Sequence, residues 1–348
     1  MPPTTTQALP KNTRDYQLDL FKGIGCLFMI AAHFLRRNDD PSIYNWILFI
    51  GGMAPVIFFA ASGISIKFQH QKNKPLVITS YYLIAFVLSM LLNVRTRDNY
   101  LGFIPVNVVS ALTITSLLYY FIRPIFSKIT TLTIFLSYIL FFYTNHRIDR
   151  FWWSTIIIGP PYGFNVLPWI SFLFLGSFLD QHNKKQNLLL AIISLISGLT
   201  SIFYFHLPFF NNGLETHKWN MSPPYFLIGL AISSLAFIVS KLPTHPIPLI
   251  NYFGQHSLLL WFANWFIFDF TQISTHIKPQ PILYIASIVL IYLFMRCLQI
   301  INKICIEKHS HHRIFWLIIR SHNSYWYYSF TPSLYSIMRL YTHVCICP

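Results

Sequence analysis

Lys22 and His33 lie eleven positions apart in the first long apolar run of the chain, KGIGCLFMIAAH, and Asp19 precedes them by one helical turn. Ionisable groups at membrane depth are costly enough to mark function by default. In a helix, eleven steps turn through about 1100°, so the two side chains share one face about 16 Å apart. That is half of a roughly 30 Å hydrocarbon core. A neutral imidazole titrates near working pH, with an ordinary pKa of about 6.5, and suits proton transfer. Asp19 and Lys22, at i and i+3, have the spacing of a helical ion pair. The same three groups, facing a bundle interior, also suit a proton relay in a transporter or lipid flippase, or are only structural hydrogen-bonding partners.

The elements that must hold them are apolar throughout. The 348 residues are 54% hydrophobic and 10% charged, against about 25% charged in soluble domains. This composition predicts an all-α, polytopic membrane helix bundle in the cell membrane, in contact with membrane lipids. Runs of 17 to 25 residues place about ten transmembrane helices at 17–35, 44–67, 76–94, 101–122, 129–144, 163–179, 187–206, 223–240, 248–268 and 280–301. Residues 1–16 then form an N-terminal segment, 17–301 the membrane domain and 302–348 a basic, aromatic C-terminal tail. Lys and Arg collect in alternate connections, with QHQKNK and DQHNKK on one side. The positive-inside rule therefore puts both termini in the cytoplasm, Asp19 and Lys22 near it, and His33 toward the far face.

Other classes are disfavoured. The net charge of +15 is spread between apolar runs and lacks a nucleic-acid motif. Cys26, Cys297, Cys305, Cys345 and Cys347 have no zinc-ligand spacing, and His309, His311 and His312 in the basic tail read as solvated, so no metal is expected. The tail can lie on an anionic leaflet. No short apolar leader with a cleavage site opens the sequence. Two long connections, 145–162 and 207–222, are candidates for binding, although Trp152, Trp153 and Trp219 within them also fit an aromatic belt. No internal repeat suggests a two-halved transporter.

RDYQLDLFKGIGCLFMIAAHF resembles the first span of the polytopic membrane acyltransferases, comprising the acyltransferase-3 family and the heparan-α-glucosaminide N-acetyltransferase-like family. There a basic residue, usually Arg, precedes a histidine with ten residues between. Lys22 keeps the charge but not the planar fork. MAPVIFFAASGIS is similar to the second span on Pro55, Phe58, Phe59, Ser62 and Gly63. FNVLPWISFLFLGSFLD resembles a later span on Pro168, Trp169 and Gly176, and NYFGQHSLLLWFANW the late signature on Gly254, Ser257 and Leu258. Asn264 stands where that signature leads one to expect a second histidine.

The resemblance implies transfer of an acyl group, acetyl above all, from cytoplasmic acyl-CoA to a hydroxyl or amine of a sugar, glycan or glycolipid at the extracytoplasmic face. No cofactor is bound permanently, since acyl-CoA is the donor substrate. His33 would be the general base or a transient acyl carrier. Lys22 would meet the donor's phosphates or polarise its thioester carbonyl, with Asp19 orienting it and Ser62 and Gly63 beside the cofactor. Arg36, Arg37, Asp39, Trp169 and Asn264 would receive the acceptor. Packing is the competing reading for Ser62, Gly63 and Trp169, and a solvated helix boundary for Arg36, Arg37 and Asp39. A homo-oligomer and a catalytically inactive relative remain alternatives.

Overall fold

The computed structural model describes residues 15–34, 49, 51–72, 74–96, 108–126, 129–145, 164, 166–204, 221–261, 263, 264, 267 and 281–308. Ten helices organise them: α1 (Tyr16–Phe34), α2 (Ala54–Lys72), α3 (Pro75–Thr96), α4 (Val108–Phe126), α5 (Thr130–Asn145), α6 (Val166–Gln181), α7 (Lys184–Tyr204), α8 (Pro223–Ser240), α9 (Pro248–Gln255) and α10 (Pro281–Lys308). After α9 a turn at His256 leads into helical residues 257–261.

Local chemistry sets several starts. The Asp15 carboxylate accepts from the Gln17 and Leu18 amides at 3.0 Å each and caps α1. Ser222 caps α8, where Pro223 and Pro224 supply the helical φ and need no donor. Asn251 fastens α9 to the start of α1, donating to the Tyr16 carbonyl at 2.6 Å while its side-chain oxygen accepts from the Ile247 amide at 2.7 Å.

Two helix crossings depend on glycine. A Cβ on Gly63 would strike the Leu173 carbonyl, and one on Gly176 the Ala60 carbonyl, so α2 and α6 meet backbone to backbone. A Cβ on Gly23 would strike the Ile250 carbonyl, and one on Gly254 the Asp19 carbonyl, which seats α9 on α1. Around these crossings two apolar clusters form. The larger joins helices α1 through α8; the smaller joins α1, Ala54 of α2, α9, Leu259, Leu260, Ala263, Ile267 and α10, with Phe28 packed against both. α1 is thus the shared wall.

The outward surface is inverted relative to a water-soluble bundle. α7 buries Asn187, Ala191, Ser194 and Gly198 while Leu189, Ile192, Ile193 and Ile196 face out. α4 buries Ser110, Thr113, Thr115 and Ser116 and exposes Phe121 and Ile125. Small and polar residues inside with large apolar ones outside is the pattern of helices packed in lipid. The chain is a helical, membrane-associated protein with a few apolar spans.

The expectation of about ten transmembrane helices is overturned. Among the described residues three helices are long and apolar enough to cross: Val108–Phe126, Lys184–Tyr204 and Pro223–Ser240. The inference that both termini are cytoplasmic was drawn from Lys and Arg counts in the connections between those ten crossings, and falls with them. Physically, hydropathy does not separate a helix bathed in lipid from one enclosed by protein. α6 is buried on every side from Pro168 to Leu179, and its 16 residues extend only about 24 Å. Other expected spans are shortened, with apolar stretches at Pro75–Val87, Leu132–Phe141 and Tyr284–Ile300. The run at 248–268 is broken at His256, and the one at 44–67 becomes a helix from Ala54 to Lys72 whose last turns carry Lys67, Gln69 and His70.

Candidate functional site

His33 sits in the last turn of α1. Its Nδ1 lies 3.1 Å from Nδ2 of Asn264, a residue 231 positions away. Asn264 is fully buried, and its Oδ1 has no hydrogen-bond partner among the described residues. In this pose the amide donates to Nδ1, and a neutral ring holds its proton on Nε2. Turned by half a circle, the carboxamide would instead accept from Nδ1–H and leave a lone pair on Nε2 for proton abstraction. The two ends of the amide are nearly isosteric, so the partner can serve either tautomer.

Asp19 and Lys22 lie on the same helix, 4% and 7% exposed, beneath the α9 crossing that Gly254 makes possible. Cys26, one turn on, directs its thiol to the Phe253 carbonyl at 3.5 Å. Ser62 shares a hydrogen bond with Ser116 at 2.8 Å across the α2–α4 contact, and Gly63 forms the α2–α6 crossing. Trp169 is enclosed by Phe59 and Phe164, with ring centroids 4.8 and 4.9 Å away, and by Phe172 and Tyr225. The structure therefore brings His33 and Asn264 together and places Ser62, Gly63 and Trp169 at helix contacts. Arg36, Arg37 and Asp39 lie outside the described residues, as do Trp152, Trp153, Trp219 and the tail histidines. Among the described residues no group of three or more His, Cys, Asp or Glu could hold a metal.

A second polar corner, which the sequence reading did not single out, forms where α2, α4 and α6 end. The Lys67 ammonium meets the Asp180 carboxylate at 2.6 Å. Pro124 has no N–H to return to the Tyr120 carbonyl one turn back. His70 replaces it, donating from Nε2 at 2.6 Å, while its ring stacks on Tyr120 with centroids 3.9 Å apart. Burial, followed by the charge of Arg123, holds His70 below the ordinary imidazole range, against the upward pull of the Tyr120 carbonyl. The fully buried Tyr119 hydroxyl lies beside Ser177 and Arg123. Neither that hydroxyl nor Nε of Arg123 has a hydrogen-bond partner among the described residues. The signal available in the sequence was the Arg123–Pro124 pair closing an otherwise apolar run.

Helix directions set the two corners apart. α1 runs antiparallel to α2, since Gly25 packs on Ile57 and Gly51 on Ala32. The start of α1 and the ends of α2, α4 and α6 therefore share one end of the molecule, and His33 occupies the other. Lys67, Lys74, Arg123, Lys184 and Lys185 gather at that shared end. Comparison of the chain with protein-family models and with curated proteins returns no match.

Proposed function

We propose that this protein is a membrane acyltransferase of the cell membrane, moving an acyl group, acetyl in the first instance, from cytoplasmic acyl-CoA to a hydroxyl or amine of a sugar, glycan or glycolipid at the extracytoplasmic face. The observation that carries this reading is the His33–Asn264 contact: an imidazole at a helix end, oriented by a buried amide able to hold the tautomer that abstracts a proton. His33 acts as general base on the acceptor, whose oxygen or nitrogen attacks the thioester carbonyl and expels the coenzyme A thiolate. Lys22 and Asp19, about 16 Å along the same helix, belong to the end from which the donor enters. Arg36, Arg37 and Asp39 follow His33 in sequence and suit an acceptor rich in hydroxyl groups.

The test is transfer or hydrolysis of radiolabelled acetyl-CoA by the purified, lipid-reconstituted protein. Replacement His33→Ala should leave a folded protein whose transfer falls by about 10²–10⁴-fold, the usual contribution of a general base. Full transfer by that variant removes His33 from the mechanism. A native protein that neither transfers nor hydrolyses the donor favours the inactive-relative reading.

A further inference from the structure

We infer that the corner between the ends of α2, α4 and α6 binds the phosphodiester headgroup of an anionic phospholipid, with Arg123 as its cationic anchor and Tyr119 as a supporting donor. This is independent of the acyl-transfer reading and of His33.

The argument starts from donors without acceptors. The one carboxylate described at this corner, Asp180, is taken by Lys67. His70 spends its Nε2 proton on Tyr120. Arg123 is left with no carboxylate within ion-pair distance among the described residues, and its Nε–H is buried without an acceptor. The fully buried Tyr119 hydroxyl one turn back lies beside Arg123 and Ser177 without a well-aligned hydrogen bond to either, so the guanidinium faces only neutral oxygens. Leaving such groups unsatisfied is costly in a low-dielectric surround. An oxyanion docked on the guanidinium supplies the missing acceptors and draws Arg123 into the planar, forked contact that phosphate geometry favours.

Charge and surroundings select the ligand. With Lys67 paired to Asp180, Arg123 is the cation left at the corner itself, and a singly charged phosphodiester balances it. Arg123 lies in the last turn of α4, a helix long and apolar enough to span, where headgroups begin. Phe121 and Ile125 flank it with side chains 53% and 72% exposed, a collar for acyl chains. Exposed Lys74, Lys184 and Lys185 lie in the connections at the same end of the bundle, where basic residues favour an anionic leaflet.

The experiment uses the full chain in nanodiscs of phosphatidylcholine with increasing phosphatidylglycerol, read by thermal unfolding and by lipid retained in native mass spectrometry. Phosphatidylglycerol should raise the Tm of the native protein and stay bound. Arg123→Gln should weaken retention by about tenfold or more, Tyr119→Phe by less, and Arg123→Lys should restore part of it because charge returns without the fork. Lys184→Gln should weaken retention less than Arg123→Gln. Should Arg123→Gln fail to fold, Arg123→Lys and Tyr119→Phe decide, since both keep volume and burial. An unchanged phosphatidylglycerol response in Arg123→Gln, or in both conservative variants, overturns the assignment. So does equal protection by inorganic phosphate or coenzyme A in phosphatidylcholine alone, which would make this a soluble-phosphate site.

Discussion

The two polar corners of this protein use opposite chemistry. At the His33 end, an imidazole and an amide meet at 3.1 Å, with Asn264 wholly out of solvent. At the α2–α4–α6 end, ammonium, carboxylate, guanidinium and imidazole crowd together, and the Lys67 side chain remains 39% exposed. Burial explains the difference. A charge taken fully out of water requires a close partner, whereas a neutral amide can be buried beside a partly exposed imidazole that remains able to take up a proton. The uncharged pair suits a reaction in which charge appears only transiently. The half-open corner suits a permanent counter-ion at a boundary.

Replacements at three positions test the separation of the corners, beginning with one that should destroy both. Gly176→Leu drives a side chain into the Ala60 carbonyl at the α2–α6 crossing, where neither backbone can yield. Its cost should reach about 3 kcal/mol or more, seen as loss of folded protein in fluorescence-detected size exclusion. A stable, active Gly176→Leu protein would show that the crossing is looser than described. Asn264→Ala should act at one corner alone, lowering the turnover number by about 10–100-fold, as expected when a base loses its orienting partner, with the Tm response to phosphatidylglycerol intact. Asn264→Asp should recover activity and move the acidic limb of the pH–rate profile upward, because a carboxylate stabilises the imidazolium. Equal losses in Ala and Asp, with no pH movement, would reduce Asn264 to a packing residue. Lys67→Met should act at the other corner and cost at most about 1 kcal/mol, the value of a half-exposed pair, with transfer unaffected; a large loss of transfer would join the corners into one site.

The legible and illegible parts of the molecule divide along the same physical line. His33, Lys22 and Asp19 stood out because ionisable groups in an apolar run have few innocent explanations. Asn264 was noticed by position in a motif, yet its contact with His33 spans 231 residues and no local pattern encodes it. Gly254 and Gly63 were visible as motif residues, and their physical reason, a carbonyl where a Cβ would stand, needs the partner helix. Hydropathy read α6 and α7 alike. The structure shows α6 enclosed and α7 turning Leu189, Ile192 and Ile193 outward, a distinction set by neighbours rather than by composition. Lys67, Arg123 and Asp180 fall at the edges of three separate runs, and no local pattern encodes their convergence.

The smallest expected effect tests whether the basic corner is as closed as its contacts imply. His70 is held below the ordinary imidazole range by burial and by Arg123, so the unfolded chain binds a proton at this residue more readily than the folded one. Stability from this residue is therefore present above about pH 6.5, and it is lost as pH falls through the lower folded value. Protonation leaves the Nε2–H bond to Tyr120 in place, since that nitrogen already donates. What it adds is a second cation beside Arg123. The native protein should lose a degree or two of Tm between pH 7 and 5 that His70→Gln, which retains an amide donor for the Tyr120 carbonyl, does not lose. The difference should narrow when an anionic lipid neutralises Arg123, because the new charge then has less to repel. Identical pH profiles for native and His70→Gln protein in phosphatidylcholine would mean that solvent screens this corner. The contrast would then be between a closed site and an open one, with no intermediate case.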